Sequence, residues 1–483
     1  MKVPINNTKL AKLIGTFTED EFKMLGQFLK RNSSKAVVKL YNLLKEKFPD
    51  ISSISKQDIY RKIYGNKSYS DRTLKNLFTE AFKTCEKFLI DSYLNSNSWE
   101  LNSIRLKIYQ QRKLESIYLS LINALESEKD IKFSRENTFD KDNLILGSKI
   151  HYYIHKNDFR SAVNEKIIRT EYSIVGFVVK YLERLRENII IEKGYNLNSR
   201  NEIFEAFKDN FNTEKFLNSI ESKAPHHYEL IRIYYLNYLC LNNPGNIPLF
   251  YELRDLILEN ISKFSRAERY FLFSDLTSCC TEMRKLGYME FWNVANDLYK
   301  LMFETDSYTM NEDDYLSVVL YRSVMLAGIS LKDTDSLRAF GEKYTKKLNP
   351  DFRQGIKNLL DANIAFLEKR YAESLEFLSK INYDFFMYKL DVKTLLLKIF
   401  YELKMFEQAY STIDSFSHYL GYTNEINEDV KAEHRNFLMI YKKLLNSLIN
   451  NDLFLKAQVM SELKSGITVS NLNWLTEKAS VNN

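Results

Sequence analysis

An aromatic residue, two variable residues and then a small one recur along this chain. The copies are Phe159-Arg-Ser-Ala162, Tyr371-Ala-Glu-Ser374, Phe406-Glu-Gln-Ala409 and Phe454-Leu-Lys-Ala457, with a looser one at Trp292-Asn-Val-Ala295. The four clear copies each follow a helical apolar run and a short polar turn, and Tyr371 and Phe406 are 35 residues apart. A unit of that length cannot bury an apolar face by itself, so the units must stack on one another. Small residues let neighbouring helices approach closely, and aromatic rings fill the gaps between layers.

Composition agrees with long helices. Gly and Pro number 13 and 6 in 483 residues, far too few for a turn-rich fold. Leu359, Ala362, Ile364, Ala365, Phe366 and Leu367 form a wide apolar stripe, which Asp361, Asn363, Glu368 and Lys369 interrupt at helical spacing. Strand-like alternation is rare. The expected class is all-α: a helical N-terminal domain followed by a solenoid of α-α hairpins.

The clearest hairpin runs from Leu359 to Phe366, turns at Glu368-Lys-Arg and returns from Tyr371 to Ile381. The next, Leu395–Leu403 and Phe406–Phe416, follows in register, with Ala362, Ser374 and Ala409 at close-approach positions. These two hairpins resemble tetratricopeptide repeats, whose period is about 34 residues. The resemblance implies a helical-repeat solenoid that binds a protein or peptide in a helix-lined groove. Leu397 departs from it by standing where a small residue is expected, and the step from Ala409 to Ala457 is 48 residues, with Thr423–Glu433 read as the insertion responsible. Helical pairs are predicted at about 144–170, 174–220, 227–260, 266–303, 313–346, 353–381, 388–417 and 434–464.

The N-terminal part differs in charge. Residues 1–100 hold 18 Lys+Arg against 11 Asp+Glu, a net +7, so the whole excess of +6 lies there. Such asymmetry fits either contact with nucleic acid or another anionic surface, or solvated helix faces in a Lys-rich protein. Thr18 and Glu21 form the pattern of a capping box, Ser55 is placed to cap a helix over 57–64 that ends at Gly65, and a long helix is predicted from about Asp71 to Tyr93. The run Asp58–Gly65, then Ser70-Asp-Arg-Thr-Leu74 and the long helix, resembles the helix-turn-helix part of bacterial winged-helix domains. That resemblance covers about 35 residues and implies that Arg72, Lys75 and Asn76 approach DNA. No β-hairpin wing follows, because Ile90–Glu100 is too short and too polar.

Reaction chemistry has little support. His151 and His155 are four apart on a predicted helix, but no glutamate completes a metalloprotease pattern. His226-His227 follows Pro225 at a helix start, where adjacent side chains diverge by about 100° and joint ligation is awkward. Cys85, Cys240, Cys279 and Cys280 form no CxxC pair, and Arg284 is the only nearby cation able to depress a thiol of the adjacent pair. They read as buried thiols of a reduced cytosolic protein. Asp313-Asp314 and Asp333-Thr-Asp335 read as helix-start residues. Phosphate-binding glycine loops and a nucleophile elbow are absent. Most aromatics, as at Tyr234, Tyr235 and Tyr238, fall at core spacing.

The expected organisation is a basic helical domain over 1–95, a helical connector with a polar loop over 96–143 (the loop at Ser127–Asp142) and a helical-repeat domain over 144–483. The chain is expected to be a cytoplasmic, non-enzymatic protein-interaction scaffold with no membrane span, catalytic residue, metal or cofactor. The alternative is a DNA-binding transcriptional regulator that contacts nucleic acid through residues 1–95 and senses a partner with the repeats.

Overall fold

The computed structural model describes residues 4–5, 8–51, 54–65, 67–96, 98–127, 138–195, 201–381 and 386–480. Among them are 24 α-helices and no strand, so the chain is all-α. Among the described residues the only extended pairings are isolated bridges, Pro4 with Ser55 and Leu316 with Leu348. No helix among the described residues is long and apolar enough to cross a membrane.

Two compact units are present, 1–128 with 148–159, and 129–147 with 160–483. The first is built from α1 (Lys9–Ile14), α2 (Glu19–Asn32), α3 (Lys35–Lys45), α4 (Lys56–Tyr64), α5 (Asp71–Ser96), α6 (Ser98–Gln111), α7 (Glu115–Ser127) and the second half of α8 (Thr138–His155). Its start signals behave as read. Thr18 Oγ1 accepts from Glu21 N while a Glu21 carboxylate oxygen accepts from Thr18 N, and Ser55 caps α4, which stops at Gly65 with φ +70°. Leu25, Leu40, Leu44, Ile59 and Leu74 are buried in one core. Gly26 is required there, because a Cβ would lie 2.4 Å from the Tyr41 hydroxyl, which itself donates to the Phe22 carbonyl. The polar stretch Ser127–Asp142 is not all loop: 128–137 lie outside the described residues, and from Thr138 the chain is helical.

The second unit continues through α9 (Phe159–Tyr195), α10 (Glu202–Asn210), α11 (Thr213–Ile220), α12 (Pro225–Asn242), α13 (Ile247–Glu259), α14 (Arg266–Lys285), α15 (Phe291–Glu304), α16 (Val318–Leu331), α17 (Thr334–Tyr344), α18 (Pro350–Leu367), α19 (Tyr371–Ser379), α20 (Phe386–Glu402), α21 (Phe406–Tyr422), α22 (Glu428–Asn450), α23 (Leu453–Lys464) and α24 (Leu472–Ala479). From α12 onward, helices successive in sequence pack against one another, consistent with a solenoid of helical hairpins. The predicted break at 170–174 does not exist. α9 runs unbroken for 37 residues because nothing in it stops a helix.

The turns explain the 35-residue step. Lys332, Lys369, Lys404 and Asn451 all sit two residues before a helix start with φ between 52° and 62°. In each, the following N–H reaches back to a carbonyl of the preceding helix: Asp333 to Gly328, Arg370 to Ala365, Met405 to Phe400 and Asp452 to Ser447, at 2.8–3.0 Å. This is the left-handed C-cap that glycine usually serves; here lysine and asparagine adopt it. Asn157 before α9 and Lys113 before α7 repeat it.

Against that frame the aromatic-x-x-small copies separate. Ser374 is fully buried and its hydroxyl donates to the Ala362 carbonyl at 2.7 Å, while Ala409 is equally buried. Leu337 holds the same place in α17, and room for it comes from Gly328 on α16. The Phe454 copy fails: α23 starts at Leu453, the pattern is one residue out of phase, and Phe454 is 82% exposed. Nor is the 48-residue step a loop insertion at Thr423–Glu433. Glu428–Glu433 is already helical, and the added length lies in α21 and α22, of 17 and 23 residues against 9 and 17 in α19 and α20.

Candidate functional site

The last turns of α14, α16, α18 and α20 lie along one side of the second unit, and the chain from Leu463 through α24 passes across them. Between them is a cavity of about 830 Å³. Its position follows from α24. Trp474 packs edge-on against Tyr401, with ring centroids 5.3 Å apart, and stacks on Tyr441, while Leu475 and Ala479 are fully buried. The same helix then carries Glu477 and Lys478 to the rim, where Lys332 pairs with Glu477 at 2.8 Å and Lys478 with Glu402 at 2.7 Å.

The cavity is cationic. Arg284, Lys285, Lys332, Lys369, Lys398, Lys464 and Lys478 line it against Glu402, Glu433 and Glu477, seven positive groups to three negative, a net +4. Part of this charge suits the helix ends, since Arg284 and Lys285 occupy the last turn of α14. Two of the cations are also drawn partly out of solvent. The Arg284 guanidinium lies 3.6 Å from the Trp292 ring centroid and donates to Thr281 Oγ1 at 2.9 Å, and burial holds its pKa below the usual arginine value. Lys398, on α20, donates to Asn471 Oδ1, and burial pushes its ammonium down to about 8, with Asp391 and Glu477 only partly opposing. Among the described residues no carboxylate comes within 4 Å of either cation. The Trp474 indole N–H is also buried without an acceptor. Partly desolvated cations without a counter-charge are expensive and are ordinarily compensated by an anion.

The residues singled out in the sequence fall elsewhere. Arg72, Lys75 and Asn76 are exposed on the first turns of α5, where Lys75 pairs with Asp71 at 2.9 Å. α5 continues to Ser96 and α6 begins at Ser98, leaving no place for a wing. Cys85, Cys240, Cys279 and Cys280 are buried, and burial pushes the Cys280 thiol up to about 12 despite Arg284. Asp333 caps α17 by accepting from Ser336 N. His151 and His155 bring their Nε2 atoms to 3.0 Å. His226 and His227, expected to diverge, instead converge on Glu171 of α9.

No sequence signal pointed to the cavity. Its wall is drawn from residues 281–478, and each lysine taken alone resembles any solvated lysine. Comparison of the chain with protein-family profiles, with curated proteins and with solved structures returned no match.

Proposed function

We propose that the chain is a non-enzymatic binding scaffold whose repeat unit accepts an acidic, partly apolar peptide segment of a protein partner in this cavity. The observation that carries the reading is the pair of half-buried cations, Arg284 and Lys398, without carboxylate partners in one cavity of net positive lining. Phe366, Leu367 and Trp474 offer apolar contact beside them. The binding surface is then part of a tetratricopeptide-like stack, with the hairpins α18–α19 and α20–α21 at its centre. Charge complementarity would set the choice of partner and its rate of capture.

Fluorescence anisotropy of the full chain with a labelled Glu- and Leu-rich peptide tests this, with a Lys- and Leu-rich peptide as control. The acidic peptide should bind, weaken as salt rises, and lose affinity at least about tenfold in Arg284→Gln. Equal binding of both peptides, or no change in the variant, would reject the reading. The DNA-binding alternative, in which α4 and α5 act as a helix-turn-helix, is supported by the exposure of Arg72, Lys75 and Asn76 on one helix start. It requires steeply salt-dependent binding of duplex DNA that Arg72→Glu with Lys75→Glu abolishes.

A further inference from the structure

We propose that Glu171, His226 and His227 form a binding site for one divalent transition-metal ion of the zinc class, independent of the cationic cavity. α9 carries Glu171. α12 starts with Pro225 at its first position, so His226 and His227 occupy the second and third. The two rings lie with centroids 3.9 Å apart. Glu171 Oε1 is 3.1 Å from His227 Nε2 and 3.8 Å from His226 Nε2, and all three donor atoms fall within 4.8 Å of one another. Donors bound to zinc at about 2.0–2.1 Å in a tetrahedron are about 3.3 Å apart, so the observed separations bracket a first coordination shell.

Burial separates this cluster from an ordinary surface contact. His227 is only 6% exposed, and the ring of Tyr172 meets it edge-on at 5.4 Å, which fixes its orientation. Its Nε2 is buried and makes no well-aligned hydrogen bond, although the carboxylate is near. A buried ring nitrogen left in that state is unfavourable for a simple ion pair and is what a ligand nitrogen needs before metal arrives. Glu171 and His226 keep the outer side open, so an ion can enter and water can complete the shell. Two imidazoles and one carboxylate suit Zn²⁺, Co²⁺, Ni²⁺ and Cu²⁺, whereas Mg²⁺ and Ca²⁺ require oxygen ligands.

The second histidine pair supplies the control. His151 and His155 also have adjacent Nε2 atoms, but among the described residues no third His, Cys or carboxylate donor joins them. The test uses the full chain after EDTA treatment and dialysis. Zn²⁺ is titrated by calorimetry, and Co²⁺ by its visible absorption, which becomes intense in four-coordinate sites. One ion per chain is expected, with affinity falling at least about tenfold in Glu171→Gln and in His226→Ala. Both are exposed side chains whose loss leaves the fold in place. The His151→Ala/His155→Ala variant should bind as the parent does. Absence of saturable binding up to millimolar Zn²⁺ would overturn the proposal. So would unchanged binding in Glu171→Gln and His226→Ala, or loss confined to the His151→Ala/His155→Ala variant.

Discussion

Replacing Lys398 by methionine should make the protein more stable at neutral pH while removing part of its binding site. Lysine and methionine share a long unbranched stem, so packing along α20 is kept, and the variant lacks only the charge and the bond to Asn471. In the folded chain burial lowers the Lys398 ammonium from 10.5 to about 8. At about 1.4 kcal/mol per pH unit, that gap means the fold carries an unfavourable term of about 3 kcal/mol when the lysine is charged. The orphaned Asn471 oxygen takes back about 1 kcal/mol, so the variant should gain roughly 2 kcal/mol near pH 7. The sign with pH is fixed. The folded lysine loses its proton near 8 and the unfolded one near 10.5, so the unfolded state holds more protons in between and wild-type stability rises with pH there. Relative to the variant, the wild type should recover about 2 kcal/mol between about pH 7 and pH 9.5. Urea unfolding followed by tryptophan fluorescence reads this out, because Trp292 and Trp474 both line the cavity. A variant less stable than wild type at pH 7 would refute the argument. A stability difference that stays flat across that range would do the same.

Gly328→Ala places a Cβ 2.7 Å from Leu337 Cδ2, a side chain only 1% exposed, and should destabilise by about 1–3 kcal/mol in thermal or urea unfolding. Leu337→Ala should cost less in the Gly328→Ala background than in the wild-type chain, because it removes the clash and leaves a pairing of small residues like that of Ala362 with Ser374. Lys404→Gly and Lys113→Gly, at the left-handed turns, should each raise stability by about 0.5 kcal/mol, read as a higher urea midpoint; a fall would show that these lysines are held by something other than the turn. Ellman's reagent should label no cysteine rapidly in the native chain and four after unfolding, since all four thiols are buried and Cys85 and Cys280 are pushed up to about 12.

What proved legible was what neighbouring residues decide together. The Thr18–Glu21 box, the Ser55 cap, the Gly65 stop and the apolar stripe of α18 need only three- and four-residue spacings, and each stands in the structure as read. The Phe454 copy misled because a pattern of four residues does not fix its own phase. The helix start does, and a lysine or asparagine in the left-handed region two residues earlier sets that start. Arg72 and Lys75 could be seen as exposed basic residues on a helix, but not what they face. Nothing local joins Glu171 to His226 and His227, because 55 residues separate it from the pair and only the approach of α9 to α12 closes that distance.

The sequence by itself determined the class of molecule: too little glycine and proline for anything but long helices, apolar stripes at helical spacing, and capping residues such as Thr18 and Ser55 that start individual helices. Those are local properties, fixed by backbone hydrogen bonds that span four residues. Tertiary structure alone decided where charge and ligands gather. Stacking the hairpins sets the ends of α14, α16, α18 and α20 side by side, and α24 is anchored across them by Trp474. Arg284 and Lys398 thereby lose solvent in a common cavity. A lysine in a sequence is only a lysine; whether it is solvated or buried without a partner depends on segments that meet from far along the chain.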